Sequence, residues 1–489
     1  MNAADLHQAR ALLHAGKTEE ALARYRRLVK QTPDAAFLWF ELGNAAAGLR
    51  LQDTADDAWA RARALEPHNT ELLLTTGHQY AARRRTDLAR EHFASAAQAA
   101  PADVNPHKAL AAHLEKTGDL PAAREALEAC RALHPLDEQV RFLHARMLRL
   151  EGETAAAEQA LRGLLFDDIR HPYVRYAVHY ELAAVLDQQE QCDEAFASLL
   201  TAKEMVSGLT DIPRLWREFD TAAAARLALA QSPPPKLQSA DGPCGVAFLG
   251  GHPRSGTTLL ETMLDAHSGI TAVDEGDAFQ FAIGHPLCPG GLTPASAKLS
   301  LSPATITRLR DAYCAALRQD AGTSDGLLLD KNPSLTASLP LWLRVMPELP
   351  VVIALRDPRD VVLSCFFQNI PLNLDNANFL TLERTVHHFT QLMSVRRAVR
   401  EWSGVRWIET HYEFLIADPA AEGRRIMAFL DLPWKESQAA PHLATRPAAI
   451  TAPGAHDVSQ PIHTRSAGRW QRYEKHLTPF TSALSAVQL

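Results

Sequence analysis

Apolar and polar positions in the first 230 residues follow a helical rhythm on which a longer period is superimposed. Pro33, Pro67, Pro101 and Pro135 are spaced 34 residues apart. Ala21, Ala55, Ala89, Ala123 and Ala157 keep the same interval, as do Ala9, Gly43, Gly77, Ala111 and Ala145. Small residues at such a spacing let two antiparallel helices approach closely, and each proline ends the second helix of a pair because proline cannot continue one. Gly16, Gly118 and Gly152 fall at the turns between paired helices.

This pattern resembles the tetratricopeptide repeat. Five repeats fit in phase to about residue 170, and a sixth fits around HYELAAVLDQQEQCDEAFASLL with a small insertion. The resemblance implies a right-handed solenoid with a concave groove suited to a peptide or protein partner. A spacer or a homodimer arm is the plainer alternative.

Near residue 230 the rhythm stops at QSPPPKLQSADGPCG, which reads as a short, stiff linker. Beyond it, the apolar runs VAFLG, LLLD, VVIALR and VRWIETH alternate with amphipathic helices. That alternation predicts a parallel α/β layer whose ligands bind past the carboxyl ends of the strands. The expected organisation is an all-α repeat domain over 1–230, a linker over 231–244 and a P-loop-like α/β domain over 245–489.

Composition narrows the function. With 46% hydrophobic and 22% charged residues, the 489-residue chain reads as globular. A net charge of -7 argues against a nucleic-acid partner held by a broad basic surface, so an anion site must be a local focus of positive charge. The sequence shows no secretory signal and no membrane-spanning apolar run, so a cytoplasmic protein is expected. The six cysteines are dispersed without a CxxC pair, which favours free thiols over a zinc site. Heavy use of Ala, Arg, Leu and Pro suits a bacterial source of high GC content.

The chemistry concentrates first in GGHPRSGTTLLETMLDAH. Gly250, Gly251 and Gly256 permit a tight turn and close backbone approach to an anion. Ser255, Thr257 and Thr258 lead into a helix whose first N–H groups bind phosphate, and Arg254 adds a fork of donors. A nucleoside-triphosphate loop would carry lysine where Thr257 stands, reaching the β- and γ-phosphates. A donor without a γ-phosphate needs no such lysine. 3′-Phosphoadenosine 5′-phosphosulfate (PAPS) is such a donor; a P-loop kinase and a ligand-free glycine turn are the alternatives.

From residue 246 to about 475 the chain resembles sulfotransferases, especially the tyrosylprotein sulfotransferases and the bacterial sulfotransferases that follow tetratricopeptide repeats. PRSGTTLLETMLDAH matches their 5′-phosphosulfate loop. In VVIALRDPRDVVLSCFFQ, Arg356 ends a strand, Asp357 and Pro358 start a helix, and Ser364 follows. The resemblance assigns Arg356 and Ser364 to the 3′-phosphate, with Gln368 where tyrosylprotein sulfotransferases place a further arginine. An ion pair with Asp357 or Asp360 is the structural alternative for Arg356.

The resemblance makes Glu275, in VDEGDAF, the general base, with Asp274 on the wrong phase. Asp277 replaces an arginine that helps the relatives hold acidic peptides. Lys331, directly after the strand LLLD, is placed to stabilise charge on a leaving oxygen, and the family carries its catalytic lysine there. Tyr412 matches a tyrosine near the nucleotide, with a core role as its rival. Arg469 matches a basic residue of the loop that closes over PAPS, while Gly454 occupies the family's serine position, so that either Thr451 or Ser459 substitutes or that hydrogen bond is absent. His267, His387 and His388 lie in predicted helices without metal-ligand spacing and read as packing or surface residues.

The sequence therefore points to a PAPS-dependent sulfotransferase that requires no metal and acts on a hydroxyl acceptor, with a protein or peptide tyrosine in the repeat groove as one candidate. The alternative is a repeat-based interaction protein with a relic nucleotide site.

Overall fold

The computed structural model describes residues 3–234, 245–293, 296, 299–323, 325–443 and 460–487. Most of the expected linker, and the positions Thr451, Gly454 and Ser459, lie outside the described residues. By contacts the chain divides into two compact units, 1–160 and 161–489. This division follows packing, whereas the expected boundary near residue 230 follows the change from all-helical to strand-bearing chain.

The first unit is built from paired helices: α1 (Ala3–His14) with α2 (Thr18–Gln31), α3 (Ala36–Gly48) with α4 (Gln52–Leu65), α5 (Thr70–Ala82) with α6 (Thr86–Ala99), and α7 (Val104–Lys116) with α8 (Leu120–Leu133). Then come α9 (Glu138–Leu150) and α10 (Thr154–Phe166). Ala21, Ala55, Ala89, Ala123 and Ala157 are all buried, so larger side chains there would overpack the helix crossings. A Cβ on Gly77 would lie 2.7 Å from the Phe93 ring, which explains the glycine in that series. Each proline of the 34-residue series stands two residues past the end of α2, α4, α6 or α8. The middle residue of every turn within a pair is left-handed: Gly16, Arg50, Arg84, Gly118 and Gly152.

The second unit opens with α11 (Pro172–Gln188), α12 (Cys192–Ser207) and α13 (Ile212–Ala230). Their polar side chains bond to main-chain and side-chain groups of the strand-bearing region. Lys203 donates to the Phe379 carbonyl at 2.6 Å, Trp216 to Ala377 at 2.9 Å, and Asp220 receives Arg384 at 2.8 Å. The Ala230 carbonyl in turn accepts the Trp402 indole N–H at 2.7 Å.

Five strands follow: β1 (Val246–Gly251), β2 (Ile270–Asp274), β3 (Leu327–Lys331), β4 (Val351–Leu355) and β5 (Trp407–His411). They form one parallel sheet in the order β2-β3-β1-β4-β5. Side chains alternate between two buried faces. Val246, Phe248, Leu328, Val351 and Ile353 join Trp342 on one face, and Ala247, Leu249, Leu329, Val352 and Ala354 join Leu260 on the other. The helices among and after these strands include α14 (Thr257–Asp265), α15 (Pro303–Ala321), α16 (Pro358–Phe366), α17 (Leu382–Arg400) and α18 (Pro419–Phe429). β5 lies at one border of the sheet, where Arg425 of α18 donates to its Glu409 carbonyl. Among the described residues no helix is long and apolar enough to cross a membrane.

This topology places a repeat region of helical hairpins ahead of an α/β domain with a central parallel sheet. It also sets the ends of β1 and β4 side by side, with Gly251 in register with Ala354. The loops that leave these two ends are the ones the sequence singled out.

Candidate active site

After β1 the chain turns through His252–Gly256 into α14. Gly251 has φ +143 and Gly256 φ +95, values that favour glycine, and each meets a close neighbour. A Cβ on Gly251 would lie 2.6 Å from Ser255 Oγ, and one on Gly256 2.6 Å from the Tyr412 ring. Thr336 secures the start of the loop, accepting the Gly251 amide at 2.8 Å and donating to the Gly251 carbonyl at 2.9 Å. No side chain caps α14, so its first-turn N–H groups face the loop as donors. Ser255 Oγ is buried without a hydrogen-bond partner among the described residues. An orphaned hydroxyl beside a bare helix start suits an anion with several acceptor oxygens.

Arg254 itself is left-handed at φ +73, a rare state for a residue with a Cβ. Its Nε donates to Ser364 Oγ on α16 at 3.1 Å, and its carbonyl accepts Arg356 Nη1 at 3.2 Å. Arg254, Ser364 and Arg356, distant in sequence, thus form one cluster. Arg356 is buried, its guanidinium 4.6 Å from the centre of the Tyr412 ring, and its Nε has no hydrogen-bond partner among the described residues. Tyr412 therefore touches both Gly256 and Arg356 while also being buried, so its packing and site positions coincide.

Asp357 caps α16 as expected, accepting the Arg359 amide at 2.9 Å. Arg356 approaches Asp360 at 3.8 Å, but the closer partners of Asp360 are the amides of Gly468 at 2.7 Å and Trp470 at 2.8 Å. The C-terminal segment is thereby pinned to α16, and Ser466 supplies a carbonyl to Arg356. Arg469 of this segment meets Asp187 of α11 at 3.1 Å and stacks on Phe367 at 4.1 Å, apart from the Arg254–Ser364–Arg356 cluster.

Lys331 and Glu275 meet at the neighbouring ends of β3 and β2. Lys331 is buried and surrounded by carboxylates: Glu261 of α14 at 3.3 Å, Asp274, and Glu275 at 3.2 Å. Burial alone would lower the Lys331 pKa, but Glu261, Asp274 and Glu275 together raise it above the usual lysine range. The ammonium is therefore charged. Glu275 is partly exposed and left-handed at φ +48. Its neighbour Asp274 turns inward to Lys331, in keeping with its opposite phase on the strand.

Sequence reasoning missed Glu261 and Thr336, and it named Asp360 only as an ion-pair partner of Arg356, not as the acceptor of the Gly468 and Trp470 amides. One acid in an amphipathic helix carries no signal until its partner is known, and neither does a threonine that closes a loop from another segment. Of the singled-out histidines, His267 accepts the Gly269 amide at 3.0 Å and His387 meets Asp220 at 3.0 Å.

Residues 247–436 match the Sulfotransferase family, and residues 3–45 and 104–147 match the tetratricopeptide repeat. A protein-tyrosine sulfotransferase of Drosophila melanogaster is 26% identical over 196 residues, covering 39% of this chain and 38% of its own length. Protein-tyrosine sulfotransferase 1 of Danio rerio is 26% identical over 212 residues, covering 39% of this chain and 54% of its own. An uncharacterized protein of Aquifex aeolicus is 25% identical over 422 residues, covering 81% of this chain and 52% of its own. The chain thus spans about half, or less, of the length of these relatives. It carries a sulfotransferase-family domain preceded by tetratricopeptide repeats.

Proposed function

We propose that the second unit moves a sulfuryl group from PAPS to an acceptor hydroxyl. The observation that carries this reading is the convergence of Arg254, Ser364 and Arg356 beside the bare start of α14, with Glu275 and Lys331 paired at the next strand ends.

The first-turn amides of α14, Ser255, Thr257, Thr258 and Arg254 would hold the 5′-phosphosulfate, and Arg356 with Ser364 the 3′-phosphate. Arg469 joins the second set only if its bond to Asp187 opens. Bound there, PAPS supplies the sulfuryl group and a phosphate leaving group. Glu275 takes the proton of the acceptor hydroxyl on its carboxylate. Lys331 holds that carboxylate in place and, with Arg254, adds positive charge where negative charge builds on the leaving oxygen. A protein or peptide acceptor would suit the repeats. Asp277, exposed two residues beyond Glu275, disfavours an acidic sequence around the hydroxyl.

Calorimetry tests the donor: 3′-phosphoadenosine 5′-phosphate should bind without magnesium and more tightly than ATP with magnesium. Preference for ATP would reverse the assignment. Sulfate transfer from labelled PAPS into fractionated host extract then identifies the acceptor class.

A further inference from the structure

His252 opens the phosphate loop, is fully buried, and joins a polar chain that the proposed chemistry does not use. Its Nδ1 lies 2.8 Å from the Pro253 carbonyl, and its Nε2 lies 2.8 Å from Nδ1 of His388 on α17. Nε2 of His388 faces Asp375 at 3.8 Å, and Asp375 is shared with Arg226 of α13 at 3.5 Å.

The two ends of this chain fix its protons. A carbonyl only accepts, so His252 Nδ1 must carry hydrogen. Between Nε2 of His252 and Nδ1 of His388 one proton is required. Asp375 lies 3.8 Å from His388 Nε2, beyond hydrogen-bond reach, but its negative charge favours a proton on that nitrogen over a lone pair. That makes three ring protons on two imidazoles, where two neutral rings hold two.

We infer that His252 and His388 share one net positive charge, and that this charged pair holds the Pro253 carbonyl and with it the backbone of Arg254 and Ser255. The surroundings fit. Phe219, Phe379 and Phe389 pack on the rings. Cys365 of α16 donates to the same Pro253 carbonyl at 3.4 Å, and burial pushes its thiol up to about 12, so it stays neutral. Lys203 of α12 is occupied by the Phe379 carbonyl. Burial would raise Asp375, but His388 and Arg226 hold it below the usual carboxylate range, so it remains an acceptor. Burial also keeps His252 well below the usual imidazole range.

The proton count stands on the ring contacts and the charge of Asp375; its effect on ligand binding rests on the proposed anion role of the loop. Ring-¹⁵N histidine spectra of the full chain at neutral pH, assigned with H252Q and H388Q, should show His388 protonated on both nitrogens and His252 on Nδ1 only. D375N should return His388 to a neutral ring. Two neutral rings in the unmodified protein would overturn the inference; should the glutamine variants fail to fold, a doubly protonated ring that D375N does not remove would overturn it equally. H388Q should weaken binding of 3′-phosphoadenosine 5′-phosphate on the order of tenfold, and unchanged affinity would overturn the positioning role. If the unmodified protein does not bind that nucleotide, the donor assignment fails while the spectra still decide the proton count.

Discussion

Glu275 and Lys331 meet twice: the Glu275 amide donates to the Lys331 carbonyl at 2.6 Å, and the Lys331 ammonium donates to Glu275 Oε1 at 3.2 Å. The first bond places the backbone and the second aims the carboxylate. With E275Q the fold and the nucleotide site should persist while turnover falls by about 10²–10⁴-fold. Rate measurements beside calorimetry with 3′-phosphoadenosine 5′-phosphate check this. Unaltered turnover would remove Glu275 from its role.

Lys331 is also the cation that Glu261 and Asp274, both buried, face. K331M should therefore destabilise the second unit by about 3–5 kcal/mol, the scale of breaking a buried ion pair from one side. Adding E261Q should restore part of the loss. Chemical denaturation of both variants decides, and equal midpoints for K331M and the unmodified chain would contradict the burial argument.

Arg356 is proposed to bind one phosphate among two. R356A should weaken 3′-phosphoadenosine 5′-phosphate by about 10–100-fold, the range for a hydrogen bond to a charged group, and should leave adenosine 5′-phosphosulfate little affected. Equal losses for both ligands would point to general collapse of the loop.

Two histidines of the repeats, His92 and His113, are buried with ring nitrogens on the Leu88 and Thr86 carbonyls at 2.8 and 2.9 Å. Burial lowers both below the usual imidazole value. The unfolded chain then binds more protons than the folded chain below about pH 6.5, so stability is complete above that pH and falls as the pH drops toward the folded values. Hydrogen exchange of amides 86–116 should show easier opening at pH 5 than at pH 7.5. A flat response would mean that the rings are already charged in the folded protein.

Glu190, exposed in the turn between α11 and α12, is left-handed at φ +63. E190G should stabilise the second unit by about 1 kcal/mol by relieving that conformation. Denaturant midpoints test the sign, and a lower midpoint would mean that the glutamate side chain matters more than its backbone.

The repeats were legible because their three small-residue and proline series all describe one contact, a helix crossing and its termination. The turns were only partly legible. Gly16, Gly118 and Gly152 announce the left-handed residue, but Arg50 and Arg84 adopt it without glycine. The strands could be read from their apolar runs, since both faces of the sheet are covered. The loop and the Arg356 helix could be read from their caps and glycines. Glu261, Thr336 and the His252–His388–Asp375 chain could not, because each acts through a partner from a distant segment. The contacts of Lys203 and Trp216 with the 377–379 segment likewise leave no local trace.

The border strand β5 has one more consequence. With the Arg425 guanidinium already seated on the Glu409 carbonyl, a foreign strand arriving there would find a cation where it needs a free acceptor. Lengthening the sheet from one molecule into the next would first require Arg425 to be displaced. At high concentration this border should therefore resist fibre-like association instead of seeding it.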